Sequence, residues 1–126
     1  MGHLNDLKQE YRDLQQRLDQ GPAAAPPSEA LFDVLRMLFS PEQARLAAAM
    51  PWAPVSAGRM AGALGLGVDA VRAELERMAE RGLVFDYTHP ETDKTRYVLA
   101  PPLVGFIEFT MMRVRDDIDH SRMAHA

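Results

Sequence analysis

The tightest constraint in this chain is a glycine-bracketed corner, Gly65-Leu66-Gly67, set between two short amphipathic segments. Glycine tolerates the positive φ that a sharp helix–helix corner needs, so the spacing predicts a turn here and helices on either side. Before the corner, Ser56 is placed to cap a helix that carries Met60, Ala61 and Leu64. After it, Asp69 is placed to cap a helix running to about Arg81, with Val71, Leu75 and Met78 recurring on one face. Gly82 reads as the residue that stops that helix. Leu83–Tyr87 and Thr95–Leu99 are β-rich runs, and the THPETDK between them has the proline and polar residues of a hairpin tip. Val55–Leu99 therefore predicts helix, turn, helix, strand, loop, strand. The fold class that follows is mainly α with a small β-hairpin wing: a winged helix-turn-helix preceded by an N-terminal helical arm.

The arm is residues 1–27 with its linker. Leu4, Leu7, Tyr11, Leu14 and Leu18 follow alternating steps of three and four, a heptad seam. Such a seam docks on its own domain, docks on a second copy of the chain, or, at two heptads, frays in water, and all three readings stand. Gln20–Pro27 then breaks the helix with a glycine and three prolines.

Ser28 is placed to cap a helix in which Leu31, Val34, Leu35 and Leu38 recur, flanked by Phe32 and Phe39, so this helix is expected to be largely buried. Ser40-Pro41-Glu42-Gln43 is a capping-box start for a helix that runs to Pro51. Trp52, between Pro51 and Pro54, is expected to plug the core from a loop. Pro101 and Pro102 end the second strand, and Leu103–Arg115 reads as an apolar helix with Phe106, Ile107, Phe109, Met111 and Met112. Residues 28–116 make the domain, and 117–126 form a polar tail expected to fray.

Composition limits the chemistry. There is no cysteine, which rules out disulfides, thiolate nucleophiles and Cys-ligated metal or iron–sulfur sites within this chain. The first residues lack an apolar signal-peptide core, and Leu99–Val114 is too short and too polar to span a bilayer, so a soluble cytoplasmic protein without membrane partners is expected. The histidines, His3, His89, His120 and His125, do not fall at metal-ligand spacing. GALGLG lies between helices rather than after a strand, so it is no phosphate loop. No nucleophile elbow or acid–base pair is present. A non-catalytic protein with no cofactor and no metal is the expectation.

Charge argues against a simple DNA cradle. The net charge is −4, and each quarter of the chain carries one more acid than base, whereas Lys and Arg supply most of a DNA-binding domain's affinity. The candidate DNA contacts are Arg59, Arg72, Ala73, Arg77, Lys94 and Arg96, on the corner helices and the wing. Glu76 and Glu80 share the helix face with them, and Asp86, Glu91 and Asp93 share the wing. Nucleic-acid contact is one reading. The other is a solvated face laced by ion pairs such as Arg72–Glu76, with Glu80 flanking Arg77 and Arg81.

One resemblance sharpens these readings. ERMAERGLVFDY, together with TRYVLAPPLVGFIEFTMMRVRDDI, resembles the N-terminal winged-helix, MarR-like domain that precedes a 4Fe-4S ferredoxin-type domain in bacterial and archaeal iron–sulfur proteins. The resemblance covers nearly the whole chain. GFIEFTMMRVRDDI is its most specific string, while the helix-turn-helix also looks like MarR-type regulators in general. It implies a transcription-regulator-type recognition module whose partner is duplex DNA or a ferredoxin-like redox protein or domain. Docking of the latter would use the apolar last helix (Phe106, Phe109) and the arm, and the arm would also serve a homodimer. In that family a cysteine-rich domain follows, so with no cysteine here cluster chemistry carries over to no residue of this chain, which reads as an isolated domain or a short relative acting as a separate subunit.

Overall fold

The computed structural model describes residues 8–21 and 25–124, with side chains as far as residue 113. Leu4, Leu7, His3, His120 and His125 therefore lie outside the residues whose side chains are described. The chain forms a small, mainly helical domain with a three-stranded antiparallel sheet. In order these are α1 (Gln9–Asp19), α2 (Glu29–Leu38), α3 (Pro41–Ala49), β1 (Val55–Ser56), α4 (Ala57–Leu64), α5 (Val68–Glu80), β2 (Val84–Thr88), β3 (Thr95–Leu99) and α6 (Pro101–Ala124). No helix among the described residues is long and apolar enough to cross a membrane.

Local chemistry sets most of these boundaries. The Ser28 side chain accepts from the backbone N–H of Leu31, and the Ser56 side chain from that of Arg59. Ser40 and Gln43 form a reciprocal capping box, with Pro41 in the first turn. α4 ends on Gly65 at φ 66°, in the left-handed region, where a side chain would strain the backbone. Gly82, at φ 76°, closes α5 in the same way. The N–H of Leu83 reaches back to Met78 O, and that of Gly82 to Ala79 O, which satisfies the last carbonyls of the helix. Gly67 needs no such freedom, since its φ is −70°.

The structure departs from the sequence reading at several points. Gly67, rather than Asp69, is the N-cap of α5, because the helix starts at Val68; Asp69 lies inside the first turn, where its charge still favours the helix N-terminus. β1 was not expected. It pairs with β3 through Val55↔Tyr97 and Ser56↔Arg96, giving the sheet order β1-β3-β2. A two-residue strand has no alternation to read. α6 takes Pro101 and Pro102 into its first turn, where missing N–H groups cost nothing, and continues as helix to Ala124 instead of fraying after Arg115.

One core joins all parts. Val71, Leu75 and Met78 of α5 meet Leu31, Phe32 and Leu35 of α2, Leu46 of α3, Tyr97 and Leu99 of β3, and Leu103, Ile107 and Met111 of α6 in a single buried cluster. The arm belongs to it. Tyr11, Leu14 and Leu18 are buried, and α1 packs chiefly against α3. Polar bonds pin it as well. Tyr11 donates its hydroxyl to Phe39 O at 2.7 Å, Gln15 donates to Ala25 O at 2.9 Å, and Arg17 donates to Met50 O at 3.1 Å. Tyr11, Leu14 and Leu18 thus spend their apolar surface within the chain, as the self-docked reading of the arm expects.

Trp52 packs against the edge of this core, with the Arg17 guanidinium 5.3 Å from its ring centroid. Gly21 lies under the same ring. A Cβ at position 21 would come within 2.3 Å of Trp52 Cζ2, so the breaker glycine is also a close-approach glycine. Gly21→Ala is expected to displace the indole and to cost about 1–3 kcal/mol. As the chain has a single tryptophan, its emission should shift to the red in the folded variant, and urea unfolding monitored by circular dichroism should give the stability change.

Candidate nucleic-acid interface

α5 presents two faces. Val71, Leu75 and Met78 point into the core, while Ala70, Arg72, Ala73, Glu76, Arg77 and Glu80 are exposed, as the stripe predicts. The hairpin follows α5 directly and is in register from Val84↔Leu99 to Thr88↔Thr95. Its tip closes with Asp93 N–H on His89 O and His89 N–H on Lys94 O, both at 2.9 Å. Asp93 adopts φ 59°, a conformation that Asp tolerates better than most residues.

Two interactions hold the hairpin and α5 in place. The Tyr97 hydroxyl donates to the Glu76 carboxylate, joining β3 to α5 across a half-open edge. Farther along α5, Gln43 bridges from the start of α3. Its amide donates to Glu74 at 2.9 Å, and its oxygen accepts from Arg81 at 3.2 Å. Burial, then the bond to Glu76, raises the Tyr97 phenol above its ordinary value. The folded state therefore keeps a proton that the unfolded chain releases near pH ~10. This contribution is complete below that pH and is lost as pH rises past it. Urea titrations across the alkaline range should show stability falling in the wild type and a flatter limb for Tyr97→Phe, whose lost hydrogen bond costs about 1 kcal/mol at neutral pH.

The sequence-predicted contacts do not form one patch. Arg72 from α5 and Lys94 and Arg96 from the hairpin border a cleft of about 590 Å3 that also includes Ser56, Ala57 and Gly58 at the start of α4. Asp93 lies on its rim. Arg59 is on the exposed side of α4, outside that cleft. Ala73 and Arg77 lie elsewhere, in a second cleft between α3 and α5 with Glu42, Arg45 and Glu74.

The bases also differ in how free they are. Arg77 is held by Glu74 through a two-point contact, and that contact, more than any other influence, keeps the Glu74 carboxyl below its usual range. Arg72 pairs with Asp69 at 3.1 Å with both side chains exposed, a weak pair in solvent. The expected Arg72–Glu76 pair does not form, because Glu76 is turned to Tyr97. Arg59, Lys94 and Arg96 carry no carboxylate partner among the described residues.

A third surface lies on the outer side of α6. Phe106, Phe109 and Met112 are more than half exposed there, whereas Leu103, Ile107 and Met111 face the core. The Arg113 guanidinium sits 5.9 Å from the Phe109 ring centroid. Of the residues expected at a partner interface, Tyr11, Leu14 and Leu18 are buried and Phe106 and Phe109 are exposed, while Leu4 and Leu7 lie outside the described residues. Among the described residues, no group of His, Asp and Glu is gathered as a metal site. Comparison of the chain with protein-family models, curated proteins and solved structures gives no match.

Proposed function

We propose that this chain is a non-catalytic winged helix-turn-helix domain that binds duplex DNA, in the manner of a transcription regulator. In this reading α4 and α5 are the helix-turn-helix and β2–β3 is the wing. The observation that carries it is the cleft where Arg72 of α5 meets Lys94 of the hairpin beside the start of α4. A phosphate there would meet two cations, one from each element that such folds place on DNA. Small residues on the exposed face of α5, Ala70 and Ala73, allow that face to approach base edges closely. The test is binding to a diverse pool of duplex DNA across salt concentrations. Affinity should be measurable at low salt and should fall linearly on a log–log plot as salt rises. No binding at low salt sinks the reading.

The exposed Phe106, Phe109 and Met112 favour a second reading, docking of a ferredoxin-like redox protein or domain on α6. A purified ferredoxin should then bind the chain in solution, and the double change Phe106→Ser, Phe109→Ser should abolish binding while leaving affinity for duplex DNA unchanged. Absence of ferredoxin binding removes this reading alone.

A further inference from the structure

The hairpin has a second side whose aromatic residues the duplex reading leaves unused. Register puts Phe85 opposite Val98 and Tyr87 opposite Arg96, so these four share the face turned away from the core. Phe85 is 48% exposed and Tyr87 is 59% exposed. A strand of this length ordinarily blunts its solvent face with polar residues, and here aromatic rings occupy it instead. Beside Tyr87 the surface dips into a cleft of about 590 Å3 lined by Ala53, Pro54, Tyr87, His89, Thr92, Lys94 and Arg96. No carboxylate lines it, although the chain as a whole is acidic. The His89 ring stands edge-on to Tyr87 at 6.4 Å between centroids, which props the phenol side without covering it. Neighbouring acids do not line the cleft itself. Asp86 alternates to the other side of β2 opposite Tyr97, and Glu91 and Asp93 belong to the tip.

We propose that this outer face of the hairpin is a stacking platform for unpaired bases of single-stranded DNA. Charge complementarity and ring spacing both point to that occupant. Lys94 and Arg96 line the cleft beside Tyr87 with no carboxylate partner among the described residues, placed for a phosphate backbone. Phe85 and Tyr87 are two residues apart on one strand, about 6.8 Å along it. That is about twice the ~3.4 Å separation of stacked bases in a duplex strand. Adjacent rings therefore match bases that have been pulled apart, which only an unpaired, extended strand provides. Sequence preference is expected to be slight, because every base has a face to stack. Arg96 borders both this cleft and the one beside Arg72, so a duplex with an unpaired end could occupy the two together. The platform itself does not depend on the duplex reading.

Fluorescence anisotropy with a labelled oligothymidylate of about ten nucleotides, a length suited to one small domain, tests it. The chain should bind this probe at low salt. An abasic strand of the same length and charge should bind about tenfold more weakly or worse, because the stacking is missing. Phe85→Ala and Tyr87→Ala should each lower affinity for oligothymidylate about tenfold. Tyr87→Phe should retain it, since the ring and not the hydroxyl is used. Both positions are exposed, so the variants should keep the wild-type circular dichroism and melting temperature. Equal binding of the abasic and thymidylate strands overturns the proposal, as does unchanged affinity in both alanine variants, or binding of oligouridylate with none of oligothymidylate. Blunt duplex binding that responds to Arg72→Glu but not to Tyr87→Ala belongs to the duplex reading, so either idea can fail without the other.

Discussion

Leu14→Ala is expected to destabilise the whole domain by about 2–5 kcal/mol, the usual cost of emptying a fully buried leucine site. Leu14 has no exposed surface, and its neighbours in the cluster come from helices far along the chain. α1 spans 11 residues, too few for an isolated helix to persist in water. Its order must therefore come from docking on α3, and its unfolding and that of the domain are one transition. Urea unfolding followed by circular dichroism and by Trp52 emission should report the same lowered midpoint by both probes. Asp13→Ala, on the exposed side of α1, should stay within about 0.5 kcal/mol of the wild type. An unchanged midpoint for Leu14→Ala would undo the docked arm and restore the seam to a second chain.

The second large effect belongs to the proposed duplex reading. Under it, Arg72→Glu is expected to lower affinity for duplex DNA about tenfold or more, from the 1–3 kcal/mol typical of such contacts. Lys94→Glu should do the same, as it reverses one of the hairpin's two cations in the same cleft. The salt slope should become shallower in each case, since fewer counterions are released. Arg77→Ala is the informative contrast. Sequence puts Arg72 and Arg77 on an equal footing, but Arg77 is already neutralised by Glu74 and lines a different cleft. Its loss should change affinity by less than a factor of about three, a few tenths of a kcal/mol. Gel-shift titrations of the three variants, each checked for an unchanged melting temperature, decide it. Equal losses for Arg72 and Arg77 would mean that the whole exposed face of α5 meets DNA.

These contrasts show where the chain could be read from its residues and where it could not. Caps and stops are local, so Ser28, the Ser40–Gln43 box, Ser56, Gly65 and Gly82 all act as their types predict. The buried stripe of α5 is equally legible, because Val71, Leu75 and Met78 repeat at the helical period. Partners distant in sequence are not. Nothing in the arm says that Tyr11 will give its hydroxyl to Phe39, so the same heptad fits an inner or an outer seam. Nor does helical spacing alone reveal that Glu76 is taken by Tyr97, which leaves Arg72 to Asp69. The outer hairpin face could have been found by alternation. Phe85 and Tyr87 fall on the side opposite the core residues Val84, Tyr97 and Leu99, but a β-rich run read as a whole does not separate its two faces.

The bond from Tyr97 to Glu76, with β1 fastened to the other side of β3, has a thermodynamic consequence. α5 and the hairpin cannot open or close independently without breaking a hydrogen bond at a buried tyrosine or stripping β1 from the sheet. The backbone segments that carry Arg72 and Arg96 are thus tied to each other before any ligand arrives. The backbone that bears these cations then has less conformational freedom to lose on binding, although their own side chains still have to be ordered. In an acidic chain, such a tie between α5 and the sheet is one way to keep sparse positive charge together.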